Sequence, residues 1–213
     1  MKRVPRGTDL TPRVRLPPEE RRQQIVRVAG EILVTHGVDG VRIPDVAAAA
    51  GVTRPVVYRF FPNRKALLVA MLEDFGGELE ARFHTGFENW QPSGLSALVG
   101  GFVEAVCGSI EAKGPGAFYL MGTNGADPAI AEVAAAYQDR LLEPWLGYIA
   151  TVSGQSSSEL EVLGKMVVAS CNAALGLWIE GRLTRLETSR ALERGVVALL
   201  REFGVPSVGQ RNI

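Results

Sequence analysis

Cysteine and histidine are almost missing from this chain, and so are the motifs that catalysis needs. Its 213 residues hold two cysteines, Cys107 and Cys171, too far apart to suggest a disulfide framework or a metal-ligand spacing. Two such residues read as small core side chains in a reducing compartment. The two histidines, His36 and His84, fall near a helix end and in a mixed segment, without ligand spacing. No GxSxG, GxGxxG or phosphate-loop pattern occurs, and Gly122-Thr-Asn-Gly125 reads as a turn. Acidic residues are spread as solvated helix faces. The chain is therefore expected to be no enzyme and to hold no metal and no cofactor. Net charge is also absent, with 23 Lys and Arg against 23 Asp and Glu. No uncharged stretch reaches the roughly 18 apolar residues of a membrane helix. The longest, such as residues 144–158, are broken by Gly, Pro and Ser. The N-terminus, MKRVPRGTDLTPRVRLPPEE, has no apolar signal-peptide core. These absences fit a cytoplasmic protein with no membrane partner.

What is there is a 46% hydrophobic content, enough to bury a core, and a charge that is divided rather than lacking. Residues 1–67 carry thirteen Lys or Arg against six Asp or Glu, and the remainder ten against seventeen. A basic module joined to an acidic one makes nucleic acid a plausible partner despite the neutral total. Residues 1–16 place five cations against Asp9 alone among Pro and Gly, and read as a disordered basic arm able to add phosphate or minor-groove contacts.

Beyond the arm, apolar periodicity predicts helices throughout, and no window alternates with period two, so the fold class is all-α. A first helix is expected over Pro18–His36, with Ile25, Ala29, Ile32 and Leu33 on one face and Gly37 as its left-handed cap. Short helices follow over Ile43–Ala50 and Arg54–Phe60, separated by Gly51 and Val52, with Pro44 and Pro55 in their first turns and Thr53 as an N-cap. Pro62-Asn63 breaks the chain before a long helix from Arg64. Further helices are expected over Leu95–Lys113, Gly116–Met121, Pro128–Val152 with a kink at Pro144, Ser158–Gly181 and Thr188–Phe203. The helix–glycine turn–helix of residues 41–67 is a device for laying one helix in the major groove of duplex DNA.

The segment GVRIPDVAAAAGVTRPVVYRFFPNRKALLVAML resembles the N-terminal domain of the tetracycline-repressor (TetR) family of transcriptional regulators. The matching signs are Asp45-Val46-Ala47, Ala50-Gly51-Val52-Thr53, Tyr58, Phe61-Pro62 and Lys65-Ala66-Leu67, and the match covers residues 20–72. Arg42 stands where the family often has a capping Ser or Thr, and Pro55 where a small residue is common. The expected architecture is a helix-turn-helix domain over 17–63, a ligand-binding and dimerisation domain over 64–206, and a tail over 207–213.

Position assigns the DNA chemistry. Thr53, Tyr58, Lys65 and Arg42 are candidates for phosphate contacts, which orient the protein. Arg54 and Arg59 can read guanine O6 and N7, while Pro55 and Val56 can touch thymine methyls. Val57, Phe60 and Phe61 are assigned to packing. One helix reads few base pairs, so a homodimer on a palindromic operator is expected. The resemblance places the dimer interface on the last two long helices, with Leu175, Trp178, Leu192, Val196, Leu199 and Leu200. It also implies a small-molecule effector that binds the C-terminal domain and releases the operator, as a repressor would. Candidate lining residues are Phe87, Trp90, Phe102, Phe118, Met121, Trp145, Tyr148 and Cys171, which suit an uncharged hydrophobic or aromatic ligand. Asn172 and Tyr148 can supply hydrogen bonds, and Gly100-Gly101 and Gly108 can leave room for a cavity. The competing reading is a DNA-bound adaptor. An enclosed pocket would favour the sensor, and a filled core with an exposed apolar patch the adaptor.

Overall fold

The computed structural model describes residues 16–90, 94–122 and 128–206, except for the side chains of residues 87–90 and 129. The basic arm, apart from Leu16, and the C-terminal tail lie outside the described residues. Among those described, every regular element is an α-helix: α1 (Pro18–Gly40), α2 (Ile43–Ala49), α3 (Arg54–Phe60), α4 (Arg64–Trp90), α5 (Leu95–Lys113), α6 (Gly116–Gly122), α7 (Pro128–Ser153), α8 (Ser157–Ile179) and α9 (Arg185–Glu202).

Local chemistry explains the boundaries. Gly37 adopts φ 69° and interrupts the helical run of α1, as its missing Cβ allows. Gly51, at φ 65°, makes the turn between α2 and α3. The Asn63 side-chain oxygen accepts from the Ala66 amide at 2.8 Å and caps α4. The last two helices open with capping boxes. Ser156 pairs with Glu159, and Thr184 with Glu187, each carboxylate returning to the cap residue's amide at 2.9 and 2.8 Å. Hydrogen bonds from Ser156 and Thr184 hold both carboxyls below the ordinary glutamate range. These caps therefore stabilise the fold above that range and weaken as pH falls through the lowered values. The helix expected from Thr188 starts three residues earlier because the Thr184-x-x-Glu187 box nucleates it. Helix α7 is continuous through Pro144.

One apolar core runs the length of the molecule. Helix α1 buries Ile25, Val28, Ala29 and Leu33, the i, i+3, i+4 stripe of an amphipathic helix. Helix α4 buries Leu67, Leu68, Met71 and Leu72 in its first turns and Phe75, Leu79 and Phe83 further on. Phe83 meets Phe102 of α5 and Trp145 of α7 with ring centroids 5.9 and 6.0 Å apart, and those two rings meet at 5.5 Å. The Arg140 guanidinium stacks on Tyr137 at 4.1 Å and bonds Glu80 at 2.6 Å, locking α7 to α4. Cys107 and Cys171 are buried free thiols, and burial pushes Cys171 up to about 12. Helices α5 and α8 are long and apolar enough in composition to cross a membrane. Over half of α5 is buried inside the protein, whereas only 22% of the apolar window in α8 is.

The N-terminal helices meet the rest of the molecule at a backbone crossing. A Cβ added at Gly116 of α6 would lie 2.6–2.9 Å from the main chain of Gly30 in α1. Elsewhere in a helix, Gly→Ala would gain up to ~1 kcal/mol. Here overpacking should dominate, and Gly116→Ala should destabilise the protein by about 1–3 kcal/mol in urea unfolding. A more stable variant would mean that α1 and α6 do not touch there. Thr184→Ala should cost about 1 kcal/mol through its lost cap, and an unchanged midpoint would remove the capping account.

Candidate functional site

The surface around α3 follows from how little of it is buried. Of its residues only Val57 is fully enclosed, while Val56 and Phe60 are half-buried. Thr53, Arg54, Pro55, Tyr58 and Arg59 are exposed, as are Arg42 before α2 and Lys65 in the first turn of α4. Tyr58 is 48% exposed, which removes it from the core. Thr53 caps α3 by backbone conformation, and its hydroxyl makes no cap hydrogen bond. The Arg59 guanidinium stacks on Phe60 at 5.0 Å, and Arg22 of α1 stacks on buried Phe61 at 5.6 Å. Among the described residues, Arg42, Arg54, Arg59 and Lys65 form no ion pair. In the C-terminal half, by contrast, Arg82, Lys113, Arg140, Arg182 and Arg185 all do. Arg42, Arg54, Arg59 and Lys65 lie together on and around the short third helix, where a polyanion could meet them; Lys165, Arg190, Arg194 and Arg201 of the larger half are likewise in no ion pair among the described residues.

Three supporting groups escaped the sequence reading. Gln24 of α1 donates to the Ala50 carbonyl in the turn at 3.3 Å, and Arg21 holds its oxygen at 2.5 Å. Asn63 caps α4, a signal present in sequence as Asn before an apolar run. Arg64 donates to main-chain carbonyls of the α1–α2 connection; nothing in the sequence marks that contact.

In the larger half the apolar candidates converge, but on a nearly closed space. A cavity of about 50 Å³ is walled by Phe102, Phe118, Met121, Cys171 and Asn172. A second, of about 20 Å³, touches Phe102, Trp145 and Cys171. They share Phe102, Leu142, Val167 and Cys171 as a partition. Ordinary ligand sites are ~300–1,000 Å³, so this space is collapsed. Tyr148 lines neither cavity, and Phe87 and Trp90 have side chains outside the described residues. Gly108 makes no room, because the Arg82 guanidinium fills the space 2.9 Å from where its Cβ would be, and Gly100 lies away from both cavities. Gln138 was missed. It lines the larger cavity and donates to the Met121 carbonyl at 2.7 Å. Its signal was a lone amide in the buried stripe Ile130, Ala134, Leu141, Trp145 of α7.

The expected interface residues also move. Leu175, Leu192, Val196 and Leu200 are buried in the chain's own core, and Trp178 and Leu199 are half-buried. Their apolar character is spent on packing α8 and α9 against α5 and α7. The face α8 leaves uncovered is instead Val162, Met166, Ala169 and Ala173, with Val162 54% exposed.

Comparison with known proteins bears on this arrangement. Residues 25–71 match the family model described as bacterial regulatory proteins, tetR family. The chain is 41% identical over 49 residues to an uncharacterized HTH-type transcriptional regulator of Mycobacterium tuberculosis, covering 23% of this chain and 26% of that one. It is 37% identical over 59 residues to the HTH-type transcriptional activator FasR of Mycolicibacterium smegmatis, covering 28% and 27%. These matches thus span about a quarter of the relatives' length. Over nearly the whole chain the fold is similar to a TetR-like transcriptional regulator from Rhodococcus sp. RHA1, with a TM-score of 0.66 at 18% identity over 88% of this chain and 97% of that one. A tetR-family regulator from Streptomyces coelicolor matches with a TM-score of 0.59 at 24% identity, over 88% and 90%.

Proposed function

We propose that this chain, whose DNA-binding domain and fold are those of the tetR family of bacterial regulators, is a homodimeric repressor released from a palindromic operator by a small uncharged ligand. The observation that carries the DNA reading is the exposed face of α3, whose arginines form no ion pair among the described residues. Arg54 and Arg59 read base edges, Pro55 and Val56 touch thymine methyls, and Thr53, Tyr58, Arg42 and Lys65 hold phosphates. One relative of the DNA-binding domain is a transcriptional activator, so the sign of regulation is the point at which a reporter measurement separates this chain from that relative. The exposed apolar face of α8 supports a second copy as its partner. A dimer would present two α3 helices to two half-sites.

The ligand reading rests on the collapsed cavity. Its walls carry no charged side chain, and its polar groups are the amides of Gln138 and Asn172. An apolar molecule with one neutral hydrogen-bonding group fits that chemistry. It must widen the space by parting α7 from α8, since Leu142 and Leu146 lie only 3.4–3.7 Å from where a Cβ on Gly164 would be. Widening also displaces Phe118 and Met121 of α6, the helix that crosses α1 at Gly30. A ligand that prefers the widened state thereby disfavours the arrangement of α1–α3 that fits the operator. An adaptor role has one observation in its favour, the exposed apolar face of α8 beside a nearly filled core. It would leave that face to a foreign protein.

Selection of genomic fragments by the purified protein at near-physiological salt tests the whole reading. Enrichment of a short inverted repeat is the expected result, and purely non-specific binding would favour the adaptor. On the enriched site Arg59→Ala should lose more affinity than on random DNA, while Lys65→Ala should lose equally on both and flatten the salt dependence by about one ion. Equal losses for Arg59→Ala would remove its base-reading role. Leu142→Ala, at a half-buried position, should destabilise the protein by ~1–2 kcal/mol yet increase uptake of a neutral apolar dye. Unchanged dye binding would argue that no ligand space lies between α7 and α8.

A further inference from the structure

Arg64 stands beside Lys65 in the basic run that opens α4, and charge alone would send both to the DNA backbone. Their surroundings separate them. The Lys65 side chain is exposed, whereas the Arg64 guanidinium turns inward and is half-buried. Its Nε donates to the Val41 carbonyl at 2.8 Å, and its Nη2 donates to the Val38 carbonyl. The Asp39 carboxylate lies 3.7 Å away and is fully exposed, so it adds little. Val38 follows the break at Gly37, and Val41 is the last residue before α2 and its cap Arg42. The Val38 oxygen also accepts from the Val41 amide at 3.1 Å, so one turn of main chain is gathered around the guanidinium.

The topology gives this contact its meaning. Residues 42–63, which hold α2, the turn and α3, leave the body of the protein at Val41 and return at Arg64. Arg64 joins the two ends of that excursion. Gln24 pins the far side, from α1 to the Ala50 carbonyl. A planar guanidinium can donate to two carbonyls at once in a fixed geometry, which a lysine ammonium on a flexible stem does not fix.

We propose that Arg64 is a positioning residue for DNA recognition. It fixes the angle at which α3 is presented by closing the neck of the α2–α3 unit, and it makes no phosphate contact. The inference rests on the DNA-binding reading above for its consequence, but the contact itself exists in the free protein.

The test compares full-length wild type, Arg64→Gln, Arg64→Lys and Lys65→Gln on the selected fragment and on an unrelated duplex across a salt series. Arg64→Gln should lose roughly tenfold affinity on the selected fragment and little on the unrelated one, the scale of losing hydrogen bonds to a charged donor. Its plot of log affinity against log salt should keep the wild-type slope, whereas Lys65→Gln should lower the slope by about one. Arg64→Lys should fall between wild type and Arg64→Gln, and it keeps the test available if Arg64→Gln does not fold. A slope reduced by about one in Arg64→Gln would make this residue a phosphate contact and overturn the proposal. Undiminished discrimination between the two duplexes would overturn it as well. If wild type prefers no fragment at all, the functional reading fails separately. The positioning claim is then read from amide exchange in the free protein, where Arg64→Lys should speed exchange at Val41, Asp45 and Val46, and unchanged rates would overturn it.

Discussion

Helix α4 belongs to two packing environments at once, and the arrangement of the molecule hangs on that. Its first turns bury Leu67, Leu68 and Met71, and the Met71 methyl reaches to 4.0 Å from where a Gly30 Cβ would lie on α1. Two turns later the same rod places Gly76 under the Tyr137 ring, Glu80 on Arg140 and Phe83 against Phe102 and Trp145. Packed interiors have crystal-like density and resist continuous deformation. A tilt of the rod at its far end must therefore be taken up at its near end, where Arg64 grips the connection into α2. The second contact between the halves, Gly30 on Gly116, has backbone on both sides and no side chain to yield. With a helix running through both halves and a backbone crossing beside it, the reading helices have little freedom to move independently of the larger domain.

The same geometry shows what the sequence could reveal. Breaks and caps were legible because they are local: Gly37, Gly51, Pro44, Pro55 and the Pro62-Asn63 break each act on neighbouring backbone, and the helices they bound agree within a residue, except that the helical run of α1 resumes after the break at Gly37 and ends at Gly40, four residues beyond the expected His36. The outward residues of α3 were legible because so short a helix with a single buried anchor, Val57, has only one face to hide. What was not legible was long-range. Leu175, Leu192, Val196 and Leu200 have the composition of an interface and the location of a core, and periodicity along one helix does not say which neighbour its stripe meets. Gln24 and Arg64 act through carbonyls 26 and 23–26 residues away, and carbonyls carry no sequence signal. Phe102, Phe118, Met121, Trp145 and Cys171 do line the two small cavities, but residue identity cannot report whether the space between them is open. The Thr184 capping box was the opposite kind of miss, a local signal that outranked the apolar stripe used to place α9.

Charge and apolar surface are partitioned in a way that links the two halves. Cations near α3 are left uncommitted, while the ion pairs of the larger domain tie α4 to α5 and α7, and α9 to α5, through Lys113–Asp74, Arg140–Glu80 and Arg185 with Glu104 and Glu111. Exposed pairs of this kind contribute little to stability. Their larger effect is to neutralise surface that would otherwise compete for a polyanion or repel it. The acidic excess of residues 68–213 confines positive potential to the basic end, which on the proposed reading is the end that would face DNA.

Helix α8 closes the argument, because its two exposed or yielding faces serve opposite demands. One stripe, with Gly164 and Val168, lies against Leu142 and Leu146 of α7 and roofs the collapsed cavity. The stripe on the opposite face, with Val162, Met166, Ala169 and Ala173, faces outward and is too apolar to favour water. A ligand that widens the cavity must push the first stripe, and a second copy seated on the other stripe would resist that push. The displacement is then directed away from the α8 seam and into the remaining walls, α6 above all, where Phe118 and Met121 line the cavity and Gly116 meets α1. On the proposed reading, dimerisation and sensing would be one mechanical problem: the apolar face that makes α8 a poor solvent-facing helix would make it a firm anvil for the wall that has to move.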